Sequence, residues 1–573
     1  MFLSSLFLSL VSCHTDSVVS DSNPQNKKRQ PLQEEISQQE NSEPEEKRAS
    51  PKPSAEWTQQ SIAEERKELR RLMRPGTRTM VYESLKNTKQ PQQSLCSDCD
   101  IILVTICSLR KDYVGIYKKR RSVTPNIDRI AKGGFFFKQA YASSNFTLGG
   151  LSSILTGRFG ITSGVTDYEK GLPKDIYTLP QVLSFYGFQT AAFTIEAGSG
   201  FRPEHGLDRG FLRMELTEAP RNTPDGRWLD SAEPVNLEGD GASAKPVGDW
   251  LARQPISNPI FAMFHTRTAH YPFVISTDGI EEDKTGVTQA LWDVGRMSMP
   301  SSTDHRARSG FGKGDSTSGG AKDPLQARVE DIGQPAVDVI HQHYRDSVKR
   351  MDKDIGVLIE AQRQRGRLDK TLWVLVADHG ESLYEHEEFL HGGTFYEPVI
   401  NIPMIFNIPN IKGKKSPIPA LVSHVDILPT ILDIVGVQAP HDIDGRSMLP
   451  LLRGEKESIR KVTLASGGAA PPKGEMPGAV IAPPWTLLLH EGGCDDVENR
   501  RLLRTPNTNS RCLYNLKTHP KQNHVLTEEH PEKVTELNNI WKYFMQKKYK
   551  KGTKVELDKS FVEELRRSGY DFR

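Results

Sequence analysis

The run DIILVTI at residues 100–106 constrains this chain more than any other stretch. It is continuous, apolar and rich in β-branched side chains, with no polar alternation. A strand with one face in water alternates, whereas a strand covered on both faces reads as an unbroken apolar run. Four further stretches have the same character: FQTAAFTI, PIFAMFH, TLWVLVADHG and NIPMIFNIP. Helical patterns lie between them. In TPNIDRIAKGG, Thr124 stands at the N-cap and Pro125 at the first helical position. In YRDSVKRMDKDIGVLIEAQRQRG, Val348, Met351, Ile355 and Leu358 repeat at helical spacing and Gly366 closes the run. SHVDILPTILDIVG ends at Gly436. Strands alternating with helices predict an α/β layered domain with a mainly parallel central sheet.

Around that body the composition changes. Residues 1–13, MFLSSLFLSLVSC, are apolar and too short to span a bilayer, and read as the core of a secretory signal. Their ending, LVSC, has the form of a lipoprotein cleavage box that would make Cys13 the lipidated residue; an ordinary secretion signal is the other reading. Either way the expected location is outside the cytoplasm: the cell envelope, periplasm or outer membrane, or the medium. Residues 14–95 begin as a Gln-, Glu-, Lys- and Ser-rich tether and continue into a charged helix broken at Pro75-Gly76. The catalytic body is expected over 96–455, with a Gly- and Ser-rich insert at 276–335. A smaller subdomain follows at 456–530 and a charged tail at 531–573.

The chain has 75 basic and 73 acidic residues, a net charge of +2, which offers nucleic acid no attraction. Of its six cysteines, Cys494 and Cys512 flank two candidate neighbouring strands, and a disulfide between them suits an exported chain. Cys96 and Cys99 form a single CxxC, read as a local disulfide or free thiols rather than a zinc site.

In layered α/β sheets the chemistry collects beyond the carboxyl ends of the strands. Three such ends carry reactive side chains. TICSLR brings Cys107 and Arg110, with Lys111 next in the chain. HTRTAHYPF brings His270. VADHGE brings Asp378 beside His379, a pair able to face one cation, with Glu381, Glu385, His386 and His391 close behind. A fourth stretch, SSNFTLGGLSSILTG, sets Thr147 before Gly149 and Gly150 at the start of an apolar helix. There Thr147 reads either as an N-cap or as a nucleophile favoured by the helix dipole and free backbone N–H groups. The two glycines are expected to leave room for a substrate.

Taken in order, DIILVTICSLR, TPNIDRIAKGGFFFKQAYA, SSNFTLGGLSSILTG, HGLDRGF, HTRTAHYPF, VLVADHGESLYEHEEFLHGG, SHVDILPTILDIVG with IDGRSMLPLL, and CLYNLKTHPKQNHVL resemble the sulfatase branch of the alkaline phosphatase superfamily, from about Asp100 to about Val525. The resemblance implies a large α/β domain, a C-terminal sheet subdomain, and one divalent cation (calcium, magnesium, manganese or zinc) beside a nucleophile. It puts the nucleophile at Thr147, metal ligands at Asp378 and His379, and substrate-contacting residues at His270 and His391, either of which would serve as the general acid. The substrate would be a small-molecule or glycan ester.

The chain departs from the family pattern in two respects. Gly149 and Leu151 stand where sulfatases that make formylglycine have Pro and Arg, so Thr147 would act as a plain hydroxyl, which suits phosphoryl chemistry (phosphodiester or phosphonate hydrolysis, or head-group transfer) better than sulfate, since a plain Thr-sulfate ester must be attacked again at sulfur. Cys107 stands where a metal-binding Asp is usual; it is either a thiolate ligand or a small buried filler. Arg110 and Lys111 are the candidates for holding an oxyanion in place of the missing arginine. These departures leave three functions in view. The first is a cation-dependent ester hydrolase. The second is an inactive relative that binds an anionic glycan or lipid head group. The third, ranked last for want of transmembrane helices, is a head-group transferase.

Overall fold

The unbroken apolar runs pair as one sheet. In the computed structural model its strands are β1 (Asp100–Ile106), β2 (Phe135–Tyr141), β3 (Gln189–Thr194), β4 (Arg213–Leu216), β5 (Ile260–Thr266), β6 (Thr371–Ala377), β7 (Met404–Asn407) and β8 (Ile418–Ser423). Their order is β8-β2-β7-β6-β1-β5-β3-β4. β1 lies at the centre, parallel to β5 on one side and β6 on the other. β7 alone runs antiparallel, between β2 and β6. Every residue of β1, β3, β5 and β6 is buried, as strands covered by helices on both faces must be.

The structure describes residues 94–118, 122–194, 201–216, 244–271, 332–411, 416–440, 442–468, 474–490, 493–496, 501–503, 510–546 and 552–557, with 273, 286, 287, 559 and 562. The signal with Cys13, nearly all of the tether and charged helix, most of the insert and the end of the tail lie outside the described residues.

The helices that cover the sheet are α1 (Pro125–Gly133), α2 (Thr147–Thr156), α3 (Leu179–Phe185), α4 (Lys245–Arg253), α5 (Gln334–Gln364) and α6 (Ile427–Val435). The apolar stripe Val348, Met351, Ile355 and Leu358 of α5 is wholly buried. α5 packs on α4 and α1. It begins ten residues before Tyr344, where the sequence pattern starts, because Val337 and Ile340 extend the same stripe. The start of α1 differs from expectation. Thr124 occupies the N-cap but its side chain does not cap; its hydroxyl accepts from Gly115 N (2.9 Å) and donates to Asp128. The free N–H groups of Asn126 and Ile127 donate instead to the carboxylate of Asp352, on α5, at 3.0 and 2.9 Å. A tertiary cap has replaced the local one.

A second, antiparallel sheet follows: β9 (Thr463–Ser466), β10 (Gly478–Ala482), β11 (Trp485–His490) and β12 (Ser510–Asn515), adjacent in that order. One face shares a cluster with Tyr396, Val399 and Ile400 of the main body. The other takes Phe159 together with Leu537 and Trp541 of helix α7 (Pro531–Gln546). The expected charged tail therefore starts with a helix that docks through two fully buried apolar side chains. Cys494 and Cys512 are joined as a disulfide, with Cα atoms 5.2 Å apart, and Cys96 and Cys99 form a second one.

Candidate active site

The sheet directs three chain segments to one point. β1 ends at Ile106 and β6 at Ala377, in register, so Cys107 and Asp378 leave the sheet side by side. β5 ends one strand further on and delivers Arg267 and His270. α2 enters from the side. Its first residue is Thr147 and its N-cap position is Phe146, and no side chain caps it there. The Thr147 hydroxyl instead lies 3.4 Å from Cys107 Sγ and 3.3 Å from His379 Nε2. The N-cap alternative is thus set aside by geometry.

Gly150 explains how α2 comes so close. A Cβ at Gly150 would stand 2.5 Å from the carbonyl oxygen of Asp378, and one at Gly149 would strike Ser144 and Phe146. The glycines make room for the strand end and the preceding loop, not for a substrate as expected from sequence.

Each member of the cluster is oriented by its neighbours. His379 Nδ1–H donates to Gly380 O (2.8 Å), which leaves Nε2 with its lone pair toward Thr147 and Cys107. Burial holds this imidazole down at about 4, so it is neutral. Asp378 Oδ1 accepts from the backbone N–H of His379 (2.7 Å) and of Ser108 (3.2 Å). Ser108 adopts φ +60 to aim that N–H, and its carbonyl receives the hydroxyl of Tyr344 at 2.6 Å. Asp378 Oδ2 is left without a hydrogen-bond partner, 3.6 Å from His379 Nε2. It does not cap a helix. Cys107 is fully buried, and burial, with the Asp378 charge beside it, pushes its thiol well above the ordinary range. The donor atoms of Cys107, Asp378 and His379 all lie within 4.8 Å of one another, the only such group found among the described residues. An imidazole nitrogen, an unpaired carboxylate oxygen and a sulfur facing one another fit a divalent cation.

A second pair lies beside this cluster. His391 lies tilted against His379, with ring centroids 4.1 Å apart, and meets His270 edge-on at 4.9 Å. Its Nδ1 lies 2.9 Å from Glu381 Oε1. Burial drives both groups toward their neutral forms, Glu381 up to about 8 and His391 down to about 3. The Glu381 carboxyl therefore donates to Nδ1, and Nε2 carries the ring hydrogen. His270 is held the other way round: Nδ1–H donates to Tyr271 O at 2.5 Å, and Nε2 accepts from Arg267 at 3.1 Å.

Arg110 and Lys111 are corrected by the structure. Arg110 pairs with Asp112 (2.9 Å) and Glu385 (2.7 Å) and donates to Glu381 O. Lys111 donates to Asn401 Oδ1 (2.7 Å) and to Lys138 O. Neither is turned to the cluster. Glu385 is thereby committed to Arg110, and His386 stacks on Tyr396, so neither joins the site. The cation that does is Arg267, which sequence reasoning passed over although it stands three residues before His270. His424 was also missed; it ties the site together from below, donating to Ala377 O (2.8 Å) and accepting from Ser143 N.

A mostly parallel sheet with a hydroxyl, an acid–imidazole pair and a His-bonded arginine beyond its strand ends fits the layered α/β class of ester-cleaving enzymes. Over residues 100–437 the chain matches the sulfatase family, and it belongs to that family, hydrolases of sulfuric esters. It is 26% identical over 425 residues to the N-acetylglucosamine-6-O-sulfatase of Bacteroides thetaiotaomicron, covering 65% of this chain and 74% of that protein. It is 24% identical over 375 residues to the Delta 4,5-hexuronate-2-O-sulfatase of the same organism, covering 62% and 72%. The phosphonate monoester hydrolase of Agrobacterium radiobacter shares the fold, with a TM-score of 0.58 at 17% identity over 78% of this chain and 94% of its own residues.

Proposed function

We propose that this protein is an exported hydrolase of sulfate or phosphate esters, with sulfated sugars as the substrate class, and that Thr147 is its nucleophile. The observation that carries this reading is the Thr147 hydroxyl at 3.3 Å from His379 and 3.4 Å from Cys107 on the first turn of α2. The positive end of that helix favours an alkoxide and the oxyanion of a bound ester. The sulfated-sugar class is suggested by the names of the two Bacteroides relatives. Export is supported by the two disulfides, which oxidising compartments sustain.

Cys107, Asp378 and His379 would hold the cation. Bound there, it would supply positive charge that lowers the pKa of the neighbouring hydroxyl and offsets charge on the transferring group. The rest falls to the chain's own side chains. Thr147 loses its proton to water, and Oγ1 attacks sulfur or phosphorus, forming one S–O or P–O bond as the bond to the leaving oxygen breaks. His391 Nε2–H gives its proton to that oxygen, while the proton on Glu381 moves to Nδ1. His270 is not the acid, because its ring hydrogen is committed to Tyr271 O; with Arg267 it binds the non-bridging oxygens. In the second half, water attacks the same sulfur or phosphorus. The Glu381–His391 pair takes up its proton, and Thr147 leaves.

The experiment is a panel of nitrophenyl sulfate, phosphate, phosphodiester and phosphonate with wild type and Thr147→Ala. Turnover of at least one ester, abolished in the variant, is expected. Tight binding of a sulfated glycan with no turnover of any ester would mean a binding protein, and unchanged turnover in Thr147→Ala would mean another nucleophile.

A further inference from the structure

We propose that the cation site is a thiolate site selective for zinc, with Cys107, Asp378 and His379 as its three protein ligands, and not a site for calcium or magnesium. The inference rests on the reading that this cluster holds a cation, and it assigns which one. Calcium and magnesium take six or more hard oxygen donors. Here the donors within reach of one another are a single carboxylate, an imidazole and a sulfur. Soft sulfur with imidazole selects zinc, which takes four ligands in a tetrahedron.

The spacing agrees. Zinc bonds of about 2.0–2.3 Å place tetrahedral ligand atoms roughly 3.3–3.7 Å apart. In this structure His379 Nε2 lies 3.6 Å from Asp378 Oδ2 and 4.0 Å from Cys107 Sγ. The Thr147 hydroxyl lies 3.4 Å from Cys107 Sγ and 3.3 Å from His379 Nε2. The three donor atoms lie within 4.8 Å of one another, close enough to converge on one small ion, and the Thr147 hydroxyl beside two of them would face the position a catalytic zinc leaves open. An orphaned buried oxygen points to a ligand there, beside a sulfur not used in a disulfide. Asp378 Oδ2 is a fully buried oxygen with no hydrogen-bond partner, and Cys107 is the only free cysteine among the described residues. The outer groups are also in place: His379 Nδ1–H is fixed by Gly380 O and Asp378 Oδ1 by two backbone N–H groups, as ligands of a tuned site require.

The test uses the full chain. Metal content is measured on protein purified without chelators, and the metal is then removed and replaced with cobalt(II), which reports thiolate ligation by a charge-transfer band in the near ultraviolet. The expected result is one zinc per chain, a cobalt–thiolate band in wild type and in Thr147→Ala, and loss of that band in Cys107→Ser with zinc affinity at least about 10-fold weaker. Cys107→Asp keeps a ligand at the position, and there the preference is expected to move from zinc toward manganese or magnesium. Calcium or magnesium in the purified protein, or a cobalt complex with no thiolate band, overturns the proposal. Should Cys107→Ser fail to fold, the wild-type band and Cys107→Asp still decide it. Because Thr147→Ala keeps the band, a failed nucleophile assignment and a failed metal assignment give different results.

Discussion

At the scale of single residues, the site depends on contacts that only one side chain can make. Thr147→Ala removes a hydroxyl and little else: turnover is expected to fall at least about 10³-fold while stability changes by about 1 kcal/mol or less, read by kinetics and by thermal unfolding. Thr147→Ser should keep measurable turnover, and a serine variant as dead as the alanine would point to a structural role for the threonine. Gly150→Ala places a Cβ 2.5 Å from Asp378 O. It should push α2 off the strand end, costing roughly 1–3 kcal/mol and most of the metal affinity together; an alanine variant with wild-type metal binding would contradict the packing argument. The residues that were legible in the sequence share one property: Thr147, Asp378 and His379 stand at a strand or helix end, and His270 and His391 on the loops that leave the strand ends, where local pattern locates them. Arg110 and Lys111 stand at such an end as well, but two acids and three carbonyl-type oxygens claim them, and no local pattern reveals that. The pairing of Glu381 with His391 and the turn of Arg267 toward His270 are tertiary facts of the same kind.

At the scale of elements, the strands were legible because burial on both faces leaves an unbroken apolar run, and α5 because its stripe repeats at helical spacing. The start of α1 was not, since its cap comes from Asp352, more than two hundred residues away. That cap carries a pH signature. Burial raises the Asp352 carboxyl to about 6, so the folded state holds its proton more tightly than the unfolded state. Between pH 4 and 6 the unfolded chain releases this proton first, and the native state loses stability as pH rises through the window. Asp352→Asn has no proton to release, so its stability relative to wild type should improve from pH 4 to pH 6 in paired denaturation curves. A constant difference would show that Asp352 does not titrate there. α7 was read as the start of a charged tail because Leu537 and Trp541 are sparse among polar residues, yet both are buried on the second sheet. Trp541→Ala is expected to cost about 3–5 kcal/mol, seen as a lower denaturation midpoint; a change below about 1 kcal/mol would mean the helix is not docked.

At the scale of the whole molecule, the sheet's central strands β1 and β6 end in register, and that register is what makes a site of residues 147, 107 and 378–379. The second sheet closes over the same body through Tyr396 and Val399. Membership of the sulfatase family is shown by the match over residues 100–437, and the proposed Thr147 nucleophile and Cys107 ligand would set this chain's chemistry apart within that family. The central claim is that the Thr147 oxygen is covalently loaded during turnover. The most direct measurement is to acid-quench the enzyme in the middle of turnover on the ester it hydrolyses fastest, digest it, and weigh the peptide that contains Thr147. The account predicts a peptide heavier by one sulfuryl or phosphoryl group, with the modification on Thr147 and absent from Thr147→Ala. An unmodified peptide under full turnover, together with an alanine variant that still hydrolyses the ester, would contradict it.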